Sequence, residues 1–352
     1  MTVGRSGLAW GLLLLALVAF YIFNPLNEGQ KTLRIYSWSG YFPDDAIKAF
    51  EEQNALSVEI SYFSSNEELF AKMVAGASGY DIVLPSDYMV KRMIDRNMLM
   101  PLDHQELPSL SNISEEFFRA PFDPGLSYSV PYTSGNTGLL INTKAIPIAD
   151  ESDVSWSMLF ESPDIGHTSM LDDMREVFAA MLFWRGFGPN ERRMEILSQA
   201  NQDIARSKKN ITLFSSEPAA LVIKGEINIA HAFTNHAVQA AALDPAFKFI
   251  FPREGAITWT DNLTIPKDAR HPKEAIAFIE FFLNPENAVE ATRTNGLGTP
   301  NKAAWSKLTP EEQTDPVLYP SVEQKKRLHF LEDLQGESLQ NMSRLWTEMK
   351  SS

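Results

Sequence analysis

From Leu33 onward, the apolar positions of the chain switch repeatedly between two periods. Leu33–Ser37 reads as a strand, and in "FPDDAIKAFEEQN" Pro43 opens a helix with Asp44 and Asp45 in its first turn. Ala46, Ile47 and Phe50 share one helical face. Val58, Ile60 and Tyr62 then alternate with polar residues as a strand does. Asn66 is placed to cap a helix whose apolar face is Leu69, Phe70, Met73 and Val74 and whose stop is Gly76. "YDIVLP" is a third strand closed by Pro85, and "YMVKRMIDRNML" is the next helix. Strand, helix, strand, helix, strand predicts parallel strands joined by right-handed crossovers.

In open parallel sheets, ligands bind beyond the carboxyl ends of the strands. Trp38-Ser39-Gly40-Tyr41 follows the first strand and Ser86-Asp87-Tyr88 the third, so two loops bearing rings and hydroxyls emerge at one sheet edge. They either cap an apolar edge or wall a bound molecule.

A second α/β unit follows "SVPYTSGNTGLLINTKAI". In "HTSMLDDMREVFAAMLFW" a short strand yields to Asp172-Asp173, which can cap a helix with Val177, Phe178 and Met181 inward. Asp173 and Glu176, three apart, project from one face of the first turn, where they either complement the helix dipole or face a ligand. "GEINIAHAFTNHAV" is a strand entering a loop with Phe233, Asn235 and His236, and "GAITWTDNLTIP" brings Trp259 and Asp261 together. A helix with Ala275, Ile276, Ile279 and Phe282 apolar comes next, and "LHFLEDLQGESLQNMSRLWTEMK" reads as one or two terminal helices. The absence of a low-complexity linker predicts lobes that share crossover strands.

Charge narrows the partners. With 31 basic and 45 acidic residues the net charge is −14, which argues against nucleic acid, whose phosphates need clustered Lys and Arg. There is no cysteine, which excludes disulfides, thiolate chemistry, Cys-ligated metals and a lipid-anchored cysteine. Leu8–Phe23 carries no charge, follows Arg5, and would span about 24 Å as a helix, between the lengths of a signal-peptide core and a bilayer anchor. Either reading of residues 1–30 places the rest of the chain outside the cytoplasmic membrane.

No HExxH, CxxC, GxSxG, Walker loop or GxGxxG occurs, and the six histidines are scattered. No nucleophile is paired with a base. The expectation is a binding protein, neither an enzyme nor a holder of metal or cofactor.

Six stretches in order, "IYSWSGY", "SSNEELFAKMVAG", "YDIVLPSDYMV", "LDDMREVF", "GAITWTDNLTIP" and "GTPNKAAW", resemble the periplasmic spermidine/putrescine-binding proteins of polyamine ABC transporters, from about Leu33 to Lys350. The resemblance implies an α/β, type II periplasmic-binding fold of two lobes, each a mixed sheet flanked by helices, with the ligand cleft between them. Lobe 1 would comprise residues 31–136 and 263–305, and lobe 2 residues 137–262 and 306–350. It implies a monomer that gives its polyamine to a membrane permease, or alternatively a membrane-tethered sensor built on the same fold.

A polyamine is an alkyl chain carrying ammonium groups. It needs ring faces for its methylenes and nitrogens, and carboxylates as ion-pair acceptors. By resemblance Trp38, Ser39, Tyr41, Ser86 and Tyr88 form one wall, Asp173 and Glu176 the facing acidic pair, and Trp259 and Asp261 the middle, with Phe233 where relatives have Trp. Three positions depart from the pattern. Gly40 stands where relatives carry an acid, Leu331 where spermidine-type relatives carry Gln, and His236 where putrescine-type relatives carry Asp. Asp87, next to the same loop, either replaces the lost acid or points to solvent. The acidic pair and Asp261 suit two separated amines, which favours a spermidine-like ligand over putrescine.

Overall fold

The computed structural model describes residues 31–76, 79–161 and 167–351; the Leu8–Phe23 segment lies outside them. Among the described residues no helix is long and apolar enough to cross a membrane. The strands are β1 (Thr32–Ser37), β2 (Ser57–Tyr62), β3 (Ile82–Val83), β4 (Ser129–Asn142), β5 (Thr168–Met170), β6 (Ile211–Phe214), β7 (Ile229–Phe233), β8 (Phe247–Ile250), β9 (Ala256–Thr264) and β10 (Leu328–His329). The principal helices are α1 (Asp44–Asn54), α2 (Asn66–Val74), α3 (Asp87–Asp95), α4 (Met174–Trp184), α5 (Met194–Ser207), α6 (Pro218–Ile223), α7 (Thr234–Ala241), α8 (Pro272–Leu283), α9 (Pro285–Asn295) and α10 (Gly336–Ser351).

The sheet runs β2-β1-β3-β9-β4-β7-β5-β6, with β8 also on β4 and β10 on β9. Its two ends are parallel: β1 pairs with β2 and β3, and β5 with β6 and β7. Its middle is antiparallel. β4 has 14 residues, about 46 Å of extended chain, and its two halves have different partners. Ser129–Asn136 pairs with β9, and Thr137–Asn142 pairs with β7 and β8. One long strand therefore joins two parallel half-sheets.

Each half-sheet has its own packing. On the first, Phe42, Phe50, Phe278 and Phe282 form a ring cluster that locks α1 against α8, with centroid separations of 4.8 to 5.3 Å. On the second, α10 packs across α5 and α4. Trp156 is fully buried there and donates its indole N–H to the Gly255 carbonyl at 2.8 Å. Local chemistry differs from the sequence reading at two points. Ser65, not Asn66, caps α2, its hydroxyl accepting the Glu68 amide at 3.2 Å. The terminal segment is a short strand, an extended strap and one helix rather than helices alone. Within the strap Arg92 of α3 donates to Asp333 at 2.6 Å and to the Leu334 carbonyl at 2.9 Å, so the chain returns to the first half-sheet before entering α10.

Candidate binding site

The parallel strands of both half-sheets aim their carboxyl ends at one cavity of about 370 Å³. The loops after β1, β2 and β3 line it from one side and those after β5, β6 and β7 from the other, while β9 supplies the floor. Trp38, Ser39, Tyr41, Ser86, Asp87, Tyr88, Asp173, Glu176, Phe233, Trp259 and Asp261 all line this cavity. Trp38 and Tyr41 both line this cavity while also packing into the core beneath it.

Asp261 is the best-supported acid. Its two oxygens accept the Tyr41 and Ser86 hydroxyls, each at 2.5 Å. Ser86 is in turn gripped by Asn66, which donates to its hydroxyl at 2.9 Å and accepts its amide at 3.0 Å. Burial pushes the Asp261 carboxyl up to about 7, and these two hydroxyls pull against that shift. Asp87 is buried too, with both oxygens on backbone amides: Tyr88 at 2.6 Å and Thr260 at 3.1 Å. Burial takes it to about 8, with the neighbouring charge of Asp261 adding to the rise. Asp87 therefore ties the start of α3 to β9 through one amide on each oxygen.

Across the cavity Asp173 is the N-cap of α4 and accepts the amides of Arg175 (2.8 Å) and Glu176 (3.1 Å) on a single oxygen. Burial, then the charges of Glu67 and Glu176, lift it to about 7. Glu176, also buried, is lifted to about 7 by burial, against the pull of Thr137 and Arg175. It faces His231, whose Nε2 is 3.7 Å away and which burial keeps neutral, with its pKa lowered to about 3. Helix capping and cavity lining are thus one arrangement: an acid at the N-cap and another at the third helical position both point out of the helix start.

The rings are set edge to face. Trp38 packs on Phe63 at 4.4 Å and Phe233 on Trp259 at 5.9 Å. The Trp259 ring lies over Gly135 of β4, where a Cβ would come within 2.5 Å of two ring carbons. Buried polar atoms with no partner among the described residues cluster here: the indole nitrogens of Trp38 and Trp259 and the amide oxygen of Asn235. A cavity with several carboxyl groups and ring faces can hold cations strongly, because isolated buried carboxylates are costly and a cation offsets that cost.

The sequence profile of the bacterial extracellular solute-binding proteins matches residues 45–318. The chain belongs to this family. It is 32% identical to the "Spermidine/putrescine-binding periplasmic protein 1" of Haemophilus influenzae, over 91% of this chain and 89% of that protein. It is equally similar, at 32%, to the "Putrescine/cadaverine-binding protein" of Pseudomonas aeruginosa, over 90% of this chain and 93% of that protein. The solved structure of the spermidine/putrescine ABC transporter substrate-binding protein PotD from Streptococcus pneumoniae superposes with a TM-score of 0.75 at 30% identity, covering 92% of this chain and 99% of that one. This solute-binding protein has the two-lobed α/β fold of periplasmic-binding proteins. It is periplasmic, and it is a binding protein rather than an enzyme.

Several lining residues of the solute-binding protein escaped the sequence reading: Phe63, Ser64, Asn66, Glu68, Ser216 and Glu217. Most follow β2 or β6, so the strand-end rule that selected Trp38 and Ser86 would have found them had it been applied to every parallel strand. His236 and Leu331 line the cavity as well. His236 is buried and neutral, lowered to about 4 by burial, with Nδ1 accepting the Phe233 amide at 3.3 Å. Gly40 sits at φ +73°, a backbone that disfavours a side chain, although the space beside it is open.

Proposed function

We propose that this solute-binding protein captures a linear polyamine in the cavity between its lobes and, as a monomer, delivers it to the permease of an ABC transporter. The observation that carries this reading is the convergence of Asp87, Asp173, Glu176 and Asp261 in one ring-walled cavity. An anion would need Arg side chains or open helix N-termini there; the start of α4 is instead occupied by its own acids. The names of the relatives agree with it.

The lobes divide as residues 31–136 with 263–305 and residues 137–262 with 306–350, a reading supported by the change of partners of β4 at Asn136. Closure about these crossovers lets a ligand touching both walls hold the closed form. A spermidine-like triamine is favoured over a diamine, because Asp261 and the Asp173/Glu176 pair lie on different elements and suit separate ammonium groups.

Isothermal titration with spermidine and putrescine, and with glutamate as an anionic control, tests the reading. Heat is expected with the polyamines alone. No heat with either polyamine overturns it.

A further inference from the structure

We propose that Glu68 of α2 is a specificity residue of this cavity, receiving an additional ammonium group at its mouth and so favouring ligands with more than two amines. The inference rests on the polyamine reading above and names a residue that the reading does not use.

Glu68 lines the same cavity as Trp38, Ser64 and Asp261 and, like Glu217 on the opposite wall, it is exposed, whereas Asp87, Glu176 and Asp261 are buried. Its carboxylate is aimed by Ser64, whose amide (2.9 Å) and hydroxyl (2.8 Å) both donate to Oε2. The other oxygen, Oε1, receives only the Tyr36 hydroxyl at 3.4 Å, at the limit of a useful hydrogen bond. Glu68 forms no ion pair among the described residues. The obvious intramolecular candidate, Lys72 on the next turn, is placed over the rings of Tyr36 (4.2 Å) and Tyr80 (5.2 Å) instead. One carboxylate oxygen is thus held by its own loop while the second remains available beside the rings of Trp38 and Phe63.

The charge state separates Glu68 from its neighbours. Burial raises its carboxyl, but the Ser64 donors, the Tyr36 hydroxyl and the Lys72 charge outweigh that and hold it below the usual carboxylate range. Asp87, Asp173, Glu176 and Asp261 move the other way, to between about 7 and about 8. Glu68 is therefore an anion before any ligand arrives, whereas the interior acids gain full charge as a cation enters. A fixed charge at the mouth also attracts cations from a distance and raises their rate of entry.

The test compares wild type with Glu68→Gln, titrating spermidine and putrescine by calorimetry and following association by stopped-flow fluorescence at two salt concentrations. Being exposed, the contact is worth little in affinity, so spermidine is expected to bind E68Q about threefold to fivefold more weakly. Putrescine is expected to hold within about twofold, and the spermidine association rate to fall and lose part of its salt dependence. An unchanged spermidine-to-putrescine ratio with an unchanged association rate overturns the inference. Wild-type protein that binds neither amine overturns the functional reading instead, so the two failures are distinct. If E68Q loses its cooperative unfolding, Glu68→Asp, which keeps the charge and shortens its reach, decides by the same ratio.

Discussion

The two acidic walls of the cavity are built on opposite principles. Around Asp261 each carboxylate oxygen receives a hydroxyl at 2.5 Å, the donor Ser86 is itself clamped by Asn66, and Asp87 spends both oxygens on amides. At the start of α4 Asp173 accepts on one oxygen alone and Glu176 faces a neutral imidazole 3.7 Å away. The first wall is a hydrogen-bonded knot that fixes β9 to two loops. The second holds buried acids with few donors, so a ligand's ammonium groups have most to add there.

Substituting one acid from each wall gives the largest expected effects and separates the two principles. Asp261→Asn and Glu176→Gln are each expected to weaken polyamine binding roughly 30-fold or more, since removing one partner of a buried charge pair costs about 2–5 kcal/mol. Their effects on the ligand-free protein are expected to differ in sign. Asn at 261 presents an NH2 to one of the two hydroxyls now bonded to the carboxylate, so D261N loses about 1–3 kcal/mol of stability. E176Q relieves a poorly partnered buried acid and gains stability at pH 8. Calorimetric binding with denaturant unfolding measures both, and two losses of equal size would dissolve the contrast between the walls.

A smaller effect is expected at Gly135. Its reason is steric: a methyl there meets the Trp259 ring at 2.5 Å. Gly135→Ala is expected to tilt that ring away from the cavity, costing about 1–3 kcal/mol of stability and about tenfold in affinity. Indole fluorescence would report the displaced ring. Wild-type emission together with wild-type affinity would mean that the strand pair yields instead.

Gly135 also marks where sequence reading stops. Trp38, Tyr41 and Ser86 were legible because strands end just before them and parallel strands present their carboxyl ends to ligands. Asp173 and Glu176 were legible from helical spacing. Gly135 needs a ring that arrives from 124 positions away across a strand pair, and nothing local records it. Asn66 was misread for a related reason. An Asn before a helix is a good local cap, but Ser65 takes that duty and Asn66 is drawn to Ser86, 20 positions on. The segment after β2 carries an acid that the strand-end argument passed over: Glu68 lines the cavity beside Ser64, while Asp87 lines it with one backbone amide on each oxygen. The division of β4 between two sets of partners has no local signal, and the strap through Asp333 rests on one buried ion pair that no periodicity announces.

The gentlest test of the two walls is pH. Asp173, Glu176 and Asp261 titrate at about 7 and Asp87 at about 8, above the ordinary range of unfolded carboxyls near 4. Groups raised in the folded state contribute stability that is complete below about pH 4 and is lost as pH climbs through 7 to 8. His231 and His236 act oppositely. Lowered to about 3 and about 4, they cost stability as pH drops below 6.5, where the unfolded imidazoles take up protons. Glu67, Arg175 and the hydroxyls of Tyr41 and Ser86 face these acids and modulate them without reversing the direction. Four carboxyls outweigh two imidazoles, so the ligand-free protein is expected to lose stability steadily from pH 5 to pH 8, most steeply at about pH 6 to 6.5. Polyamine binding near pH 6.5 should then expel protons from the cavity, read as a dependence of the binding enthalpy on the ionisation enthalpy of the buffer. E176Q should reduce that release and E68Q should leave it unchanged, because Glu68 is already ionised. A binding enthalpy indifferent to buffer would show that the interior acids carry their charge before the ligand arrives, and the distinction between the mouth and the interior of the cavity would fall with it.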